Sequence, residues 1–411
     1  MNATAPMPVE EALTRVLASV AAPTERETVG LAEAYGRTLA SDVVSRRIQP
    51  PFANSAMDGY ALRAADAARA RARLTVAGES AAGRPFGGRF GPGEAARIFT
   101  GAPLPEGADT VAMQENARRE GVTIILDAPV APGDHVRAPG GDFDAGEIVL
   151  RAGRRLTARD VALAAAADHP TLVVHRRPRV AILASGDELV APGAGLGPAQ
   201  IVSSNTFAVA GIVVAAGGAP IDLGIAADDP GALARSLAQA TAQRADVLVT
   251  LGGASVGDHD LMRQALVDAG MKLGFWRVGM RPGKPLIHGR LGATTVLGLP
   301  GNPTSSTLCA LLFLRPLVRA LLGDPDAGAD PSEPARLAVA LPANGPRREY
   351  ARATLTRSVS GQDLATPIAS QDASLVKALA CADALLVREP NARGAAAGEM
   401  CRIIRLAPLG A

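Results

Sequence analysis

Residues 179–188 read RVAILASGDE, an apolar run of strand character that ends in a glycine turn and two acidic residues. Three later runs share this texture: APIDLGIA (219–226), ADVLVTLGG (245–253) and TTVLGLPG (294–301). Helical patterns alternate with these strands, at 205–216, 230–243, 258–269 and 304–322. Such alternation predicts a parallel sheet that helices cover on both faces. The sequence therefore predicts an α/β domain over residues 178–325.

The segments on either side of this domain have a different texture. Short strand-like runs separated by Gly- and Pro-rich turns predict a small β-barrel or sandwich inserted over residues 50–146. The helical residues 1–49 are expected to pack with residues 147–177, where Thr157 and Asp160 resemble a capping box. Strand texture returns over 331–411 and predicts a small C-terminal β domain. The fold class is thus α/β plus all-β modules.

Composition narrows the class of protein. Hydrophobic residues make up 48% of the 411 residues, enough for a sizeable core. Lys+Arg (42) nearly balance Asp+Glu (40) and arginine is scattered, which argues against nucleic acid as a partner. Three distant cysteines suit a reducing compartment. No signal-peptide pattern is evident, and the most apolar run, 161–167, is far shorter than a membrane span of about 20 residues. We expect a cytoplasmic protein with no membrane partner.

Four glycine-rich loops lie at or near strand ends of the α/β domain, at 185–188, 251–258, 280–285 and 299–306. Such loops present unblocked backbone N–H groups, and helix N-termini add partial positive charge, so both favour oxyanions. The candidate ligands for an oxyanion such as phosphate are Gly252, Gly253, Ser255, residues 302–306, Arg281 and Lys284. Neither a Walker loop nor a GxGxxG fingerprint occurs in the sequence, which argues against an ordinary ATPase or dehydrogenase.

Acidic residues follow the same strand ends. They are Asp187, Glu188, Asp228, Asp229, Asp258 and Asp260. Carboxylates beside anion-binding loops are expected where a divalent cation bridges them to phosphate. Helix capping is the alternative, and for Asp229, which precedes Pro230, both interpretations stay open. Capping explains less of Glu188, because no helix start is evident before Asn205.

The predicted β module carries polar motifs of its own. Residues 51–60 read PFANSAMDGY, residues 100–105 read TGAPLP and residues 139–142 read PGGD. A barrel turn explains the glycines but leaves Asn54, Ser55 and Asp58 unexplained. These side chains are expected to face the ligand edge of the sheet, either from another domain of the chain or from the partner chain of a dimer.

Seven motifs together carry a resemblance to a known family. They are NSAMDGYA, TGAPLPEGAD, RAPGGD, SGDEL, GGASVGDHD, MRPGKP and GLPGNP, in the family's order. With them the chain resembles, over essentially its whole length, the molybdopterin molybdenumtransferases of the MoeA family, to which the gephyrin E domain is related. The resemblance implies an elongated chain of four parts, with an adenylyltransferase-like α/β domain, a β-barrel-like insert and a C-terminal β-barrel.

The resemblance also implies a homodimer whose cleft joins the α/β domain of one chain to the β module of the other. The implied reaction takes adenylylated molybdopterin, removes AMP and attaches molybdate at the dithiolene sulfurs, assisted by Mg²⁺. The implied partners are a molybdopterin adenylyltransferase and molybdoenzyme apoproteins or their chaperones.

Carried over by motif, the resemblance assigns roles to particular residues. Catalytic roles fall to Glu188, Asp58, Thr100 and Asp142. Substrate and molybdate contacts fall to Arg281, Lys284, Pro285, Pro300, Pro303, Arg352 and Ser374, beside the loop residues Gly252, Gly253, Ser255 and Ser305 already predicted from the glycine-rich loops. Metal contacts fall to Asp187, Glu188, Asp228, Asp229 and Asp260.

Three positions depart from the family pattern. Leu251 stands where a hydroxyl residue is common, Ser204 where a carboxylate is common, and Arg281 where lysine is frequent. These departures affect the contacts of the nucleotide.

Two alternatives to the implied reaction are an adenylyltransferase, which shares the α/β fold but needs no flanking β domains, and a non-catalytic carrier or scaffold.

Overall fold

The structure, a computed structural model, describes residues 6–252, 261–359 and 361–410. The chain begins with α1 (Val9–Leu17), β1 (Arg26–Gly30), α2 (Leu31–Ala34) and β2 (Val43–Val44). The buried side chains of α1 recur at helical spacing and belong to the core of the α/β domain. Helix α1 therefore packs on the α/β domain. The second helix, α2, is a single turn of four residues.

An all-β module follows. Its strands are β3 (Asn54–Ser55), β4 (Gly59–Leu62), β5 (Arg73–Ser80), β6 (Glu94–Ile98), β7 (Thr110–Met113), β8 (Ala117–Glu120), β9 (Thr123–Leu126) and β10 (Val136–Arg137). Six of them form one sheet in the order β7-β4-β6-β5-β9-β8, and β3 pairs with β10. Buried apolar side chains such as Leu62, Leu74 and Ile124 fill a core of its own. The module is thus a separately packed β insert.

The chain then returns to the segments that precede the insert, through β11 (Ile148–Leu150), α3 (Ala158–Ala166) and β12 (Thr171–His175). Strand β12 pairs antiparallel with β1, and β11 pairs with β2. Helix α3 begins with the expected capping box, in which Thr157 and Asp160 each bond the other's backbone N–H. Residues 26–44 therefore pack with residues 148–175, and the exact domain bounds stay a prediction.

The α/β domain contains nine strands and five helices in its described residues. They are β13 (Arg179–Ser185), β14 (Leu189–Val190), β15 (Ile201–Val202), α4 (Asn205–Ala216), β16 (Ala219–Ala226), α5 (Pro230–Ala242), β17 (Val247–Leu251), α6 (Leu261–Asp268), β18 (Lys272–Arg277), β19 (Met280–Arg281), β20 (Pro285–Leu291), β21 (Thr294–Leu299), α7 (Pro303–Cys309) and α8 (Arg315–Leu321). A π-helical turn, Ala310–Leu314, joins α7 to α8.

The main sheet of this domain has the order β16-β13-β17-β21-β20-β18. The first four strands are parallel, as predicted, whereas β20 and β18 run antiparallel to their neighbours. One face packs against α1, α4 and the α7–α8 stretch, and the other against α5 and α6. Strands buried on both faces explain the continuous apolar runs in the sequence.

The α7–α8 stretch, Pro303–Leu321, is long and apolar enough by length and composition to cross a membrane. Within the molecule 72% of its apolar window is buried, because residues 308–318 supply much of the largest core cluster. A core helix passes the same test, so the stretch is weak support for a membrane span.

The C-terminal domain is a small closed barrel. It contains β22 (Glu333–Leu337), β23 (Arg348–Arg357), β24 (Asp363–Pro367), α9 (Val376–Ala380), β25 (Ala384–Arg388) and β26 (Met400–Arg405). The order β23-β24-β22-β26-β25 closes because β25 pairs again with β23. The short strand β19 of the α/β domain pairs in parallel with the start of β23. This pairing brings the barrel beside the carboxyl edge of the parallel strands.

Candidate active site

A cavity of about 640 Å³ opens at the carboxyl ends of the parallel strands. Its walls come from the residues that follow β13, β16, β17 and β21, from the start of α4, and from one loop of the C-terminal barrel. The lining residues include Ser185, Gly186, Glu188, Ser203, Ser204, Asn205, Asp228, Gly252, Pro285, Pro300, Gly301, Asn302, Pro303 and Ser374. Ligands of open α/β sheets bind at this edge, so the cavity lies where the sequence predicts it.

Three carboxylates gather on one side of the cavity. The backbone N–H of Asp228 donates to Oδ1 of Asp187 at 3.0 Å, and both Asp228 and Glu188 line the wall. Burial raises the pKa of Asp228, and the charges of Asp187 and Glu188 raise it further. None of the three carboxylates forms an ion pair with a described cation. The group therefore holds negative charge that the described part of the chain does not balance.

Two glycines shape the loops at this edge, and both have positive φ. A Cβ at Gly252, where φ is +94°, would lie 2.6 Å from the backbone oxygen of Ser185. A Cβ at Gly186, where φ is +149°, would lie 2.5 Å from Oε2 of Glu188. The space over Gly186 is thus filled by the carboxylate of Glu188 itself. Both positions have a backbone conformation that favours glycine, and both N–H groups donate to backbone oxygens, that of Gly186 to Ala226 and that of Gly252 to Leu299, each at 3.3 Å.

The loop after β21 is tied to the start of α4. Nδ2 of Asn205 donates to the backbone oxygen of Gly301 at 2.6 Å. The two segments thereby close one wall of the cavity beside Ser203 and Asn302. In the sequence analysis, residues 201–205 stand out only because Ser204 replaces a carboxylate that is common in the family. The polar run before α4 was the signal for this wall.

The C-terminal barrel contributes Ser374 to the cavity. Its loop is held by Arg352, which is 1% exposed and donates to the backbone oxygens of Ser370, Asp372 and Leu375 at 2.9–3.2 Å. Arg352 also donates to Oγ1 of Thr304 at 3.2 Å, at the start of α7. Arg352 does not line the cavity. The structure places it behind the wall, where it joins the Ser374 loop to the α/β domain.

The MRPGKP loop lies beside the cavity and contributes Pro285 to its wall. Arg281 is exposed, and its Nη1 atom lies 3.7 Å from Oε1 of Glu349. Lys284 is partly buried next to Pro285. Neither cation lines the cavity in this structure, so their contact with an anion remains a prediction. Ser305 is buried in α7, one residue from Thr304, and also lies outside the wall.

Asp229 has a structural partner of its own. Its carboxylate accepts hydrogen bonds from the backbone N–H groups of Gly231 and Ala232, at 2.9 and 3.2 Å, at the start of α5. This geometry favours the capping interpretation over metal binding. Asp228, one residue earlier, faces the cavity instead.

The β-module residues do not line this cavity in their own chain. Within the module, Oδ1 of Asp58 accepts hydrogen bonds from the N–H and the hydroxyl of Thr100, both at 2.8 Å. These bonds lower the pKa of Asp58. Asp142 is exposed and its backbone N–H donates to Gln49. The structure thus brings Asp58 and Thr100 together, and neither residue lines the cavity of its own chain.

Some predicted residues lie outside the described residues. They are Gly253, Ser255, Asp258 and Asp260. Among the residues that the structure does describe, no group of three or more His, Cys, Asp or Glu side chains is arranged to hold a metal ion. Asp187, Glu188 and Asp228 still fit a cation that keeps other ligands, because Mg²⁺ typically takes one or two carboxylates together with substrate phosphates and waters.

Comparison with known families accounts for almost the whole chain. Residues 7–167 match the MoeA N-terminal region (domain I and II), residues 181–320 match a probable molybdopterin binding domain, and residues 334–406 match the MoeA C-terminal region (domain IV). A molybdopterin molybdenumtransferase of Haemophilus influenzae is 33% identical over 96% of this chain and 97% of its own length. This chain belongs to the MoeA family of molybdopterin molybdenumtransferases.

Other members of the MoeA family are similarly related. A molybdopterin molybdenumtransferase of Nostoc is 42% identical over 73% of this chain and 70% of its own length. A solved structure of the molybdopterin biosynthesis MoeA protein of Pyrococcus horikoshii OT3 is 29% identical, covers 98% of this chain and 100% of its own, and superimposes with a TM-score of 0.84. The fold described above is therefore the MoeA fold, with its α/β domain and its β modules.

Proposed function

We propose that this MoeA-family enzyme inserts molybdate into adenylylated molybdopterin and releases AMP, in a Mg²⁺-dependent reaction. One observation carries the proposal: a single cavity joins unbalanced carboxylates, Glu188 and Asp228, to glycine-rich backbone at Gly252 and Gly301. The backbone suits phosphate oxygens and the carboxylates suit a cation that bridges to them. The names of the relatives agree with this chemistry.

The cavity's own groups suggest how the chain acts on such a substrate. The backbone N–H groups of Gly301 and Asn302, which line the cavity, would bind phosphate oxygens and orient the bond between the pterin phosphate and AMP. Lys284, beside Pro285, would add positive charge toward molybdate, and Arg352 would hold Ser374 against it. Asp187, Glu188 and Asp228 would hold Mg²⁺, which neutralises charge on the phosphates when bound.

Glu188 is the candidate catalytic carboxylate. Among the described residues its side chain has no hydrogen-bond donor or ion-pair partner, although its backbone oxygen accepts from Ile201 at 2.7 Å. A carboxylate without a fixed partner can accept a proton from an attacking water or bind a cation. Its position over Gly186 directs it to the strand edge where the scissile phosphate would lie.

We further propose a homodimer in which Asp58, Thr100 and Asp142 complete the cavity of the partner chain. Their separation from the cavity of their own chain supports this, as does the tight pairing of Asp58 with Thr100, which no barrel turn requires. The reaction would take place in the cytoplasm. A molybdopterin adenylyltransferase would supply the substrate, and molybdoenzyme apoproteins or their chaperones would receive the product.

The test is an AMP-release assay. Purified protein with adenylylated molybdopterin, Mg²⁺ and molybdate should release AMP, and release should fall when Mg²⁺ is omitted. Absence of AMP under the complete condition would support a carrier or scaffold instead. Consumption of ATP in the presence of molybdopterin would support the adenylyltransferase alternative.

A further inference from the structure

Helix α4 begins at the wall of the cavity. Its N-cap residue, Ser204, lines the wall together with Asn205, and the side chain of Ser204 forms no capping bond. The backbone N–H of Ala208 donates to Ser204 at 3.4 Å, and no described residue accepts from the N–H groups of residues 205–207. Such groups at a helix start need a partner from outside the helix. The twelve-residue helix α4 thus presents an uncapped N-terminus at the cavity.

A buried hydroxyl lies beside this helix start. Ser203 is 6% exposed, and what remains exposed lines the cavity. Its backbone N–H donates to Val190 at 2.8 Å, whereas its hydroxyl has no hydrogen bond with any described residue. Buried polar groups in proteins are nearly always hydrogen-bonded. The hydroxyl of Ser203 therefore points to a ligand in the cavity as its partner, independently of the helix.

The charge at this part of the wall favours an anion. Residues 200–208 read QIVSSNTFA and contain no acidic side chain, so nothing within them offsets the partial positive charge of the helix start. Glu188 is the acid tied to this segment, because its backbone oxygen accepts from Ile201 at 2.7 Å. A cation on that carboxylate would bridge to an anion bound at the helix start.

The helix start adjoins the loop after β21. Nδ2 of Asn205 donates to the backbone oxygen of Gly301 at 2.6 Å, and both residues line the cavity. The N–H groups of Gly301 and Asn302 are the ones proposed above for phosphate oxygens. Two sets of donors therefore lie side by side along one wall, as the two linked phosphates of a diphosphate require.

We propose that the start of α4, together with the hydroxyl of Ser203, holds one phosphate of a diphosphate ligand, and that the loop at Gly301 holds the other. The inference rests on the proposed function, in which adenylylated molybdopterin supplies the diphosphate. It adds Ser203 and the N–H groups of residues 205–207 to the substrate contacts, and the sequence motifs assign no such contact to them.

The decisive variant is Ser204→Asp. Aspartate is a strong N-cap, so its carboxylate would accept from the free N–H groups of α4, stabilise the helix and repel a phosphate. Ser203→Ala is the second variant and removes only the unpartnered hydroxyl. The matched control is Gln200→Glu, which adds the same charge at an exposed position outside the wall. A glutamate there keeps an acceptor for the N–H of Gly197, which Gln200 binds at 3.0 Å.

Calorimetric titration of the full chain with inorganic pyrophosphate, with Mg²⁺ present, compares the four proteins, and thermal unfolding without ligand accompanies it. We expect Ser204→Asp to bind pyrophosphate at least about tenfold more weakly than the parent, with an equal or higher thermal midpoint. Ser203→Ala should bind about fivefold more weakly, and Gln200→Glu should match the parent. Orthophosphate should bind the parent more weakly than pyrophosphate, because it occupies one subsite only.

Equal pyrophosphate affinity in the parent and Ser204→Asp would overturn the proposal, and so would an equal loss in Gln200→Glu. Orthophosphate that binds the parent as tightly as pyrophosphate would overturn the diphosphate assignment. Ser203→Ala decides the matter if Ser204→Asp fails to fold. The expected binding pattern without AMP release from adenylylated molybdopterin would support the subsite and contradict the proposed function. AMP release with equal pyrophosphate binding in all four proteins would do the reverse.

Discussion

The backbone N–H of Asp228 donates to a carboxylate oxygen of Asp187 across 3.0 Å, which ties together the residues that follow two neighbouring parallel strands. The register of these strands, with Ser185 opposite Ala226, sets this contact. Glu188 follows directly in the chain, so three carboxylates meet at one edge. Their mutual repulsion is the feature that a bound cation would relieve.

Removal of one of these charges should stabilise the protein without metal. The pKa of Asp228 is raised in the folded chain, so at neutral pH its ionised form opposes folding. The free energy of unfolding of Asp228→Asn should therefore equal that of the parent or exceed it slightly. The gain should stay below about 1 kcal/mol, because the carboxylate is exposed. The difference should vanish below the ordinary aspartate pKa, near 3.8. Mg²⁺ should stabilise the parent more than the variant, and a larger Mg²⁺ effect on Asp228→Asn would count against a cation at this edge.

Substitutions of Arg352 and Ser374 should have different effects, because Arg352 supports the loop and Ser374 lines the cavity. Arg352→Ala removes a buried guanidinium group and the donor to three backbone oxygens of the Ser374 loop, so we expect a loss of about 3 kcal/mol in the free energy of unfolding and loss of activity. Ser374→Ala should leave stability unchanged and raise the KM for molybdate. Urea unfolding and steady-state kinetics measure the two effects.

A matched control is Arg388→Ala. Arg388 is 8% exposed and donates to backbone oxygens of Pro342 and Arg393, so its loss should also destabilise the barrel. It lies outside the cavity wall, and the KM for molybdate should stay at the parent value. An equal KM change in Arg388→Ala would show that barrel instability alone explains the Arg352 effect.

His288 should make stability depend on pH. It is 6% exposed, its ring lies 5.1 Å from that of Phe275, and neither ring nitrogen has a hydrogen-bond partner among the described residues. Burial lowers its pKa from 6.5 to about 4, with smaller effects from Arg290 and Arg15. The unfolded chain thus binds this proton at a higher pH than the folded chain does.

The contribution of His288 to stability is fully present above pH 6.5 and is lost as the pH falls toward about 4. At that limit the loss is about 3 kcal/mol. In His288→Leu, this part of the fall in the free energy of unfolding between pH 6.5 and about 4 should be absent. Urea unfolding of both proteins at several pH values between 7 and 4 measures it, and parallel curves would show that His288 is not the group responsible.

The sequence predicts the α/β domain well, because strands buried on both faces carry an unmistakable apolar pattern, as in β13 and β17. It does not predict that β20 runs antiparallel to both of its neighbours, β21 and β18, since the direction of a strand leaves no mark in its composition. The acids at the strand ends were found from their position. Arg352 was assigned to the anion itself, because a motif shows which residue is present but not that its donors are satisfied by backbone oxygens.

The proposed dimer predicts complementation between two inactive chains. Asp58→Asn and Glu188→Gln should each be inactive alone if each cavity needs Glu188 from one chain and Asp58 from the other. In randomly mixed dimers, half carry both chains and each of these has one intact cavity, so about a quarter of the parent activity should return. Co-expression and AMP release measure this. No recovery, with mixed dimers demonstrated, would place both residues in a single chain's site.

Glu188 is the carboxylate proposed to act on the phosphate bond of adenylylated molybdopterin. The most direct measurement is the rate of AMP release, with Mg²⁺ and molybdate present, for the parent, Glu188→Gln and the control Glu79→Gln, an exposed carboxylate on β5 without a described partner. We predict a fall of at least about a hundredfold for Glu188→Gln, with an unchanged thermal midpoint, and the parent rate for Glu79→Gln. Release of AMP by Glu188→Gln at the parent rate would contradict the account.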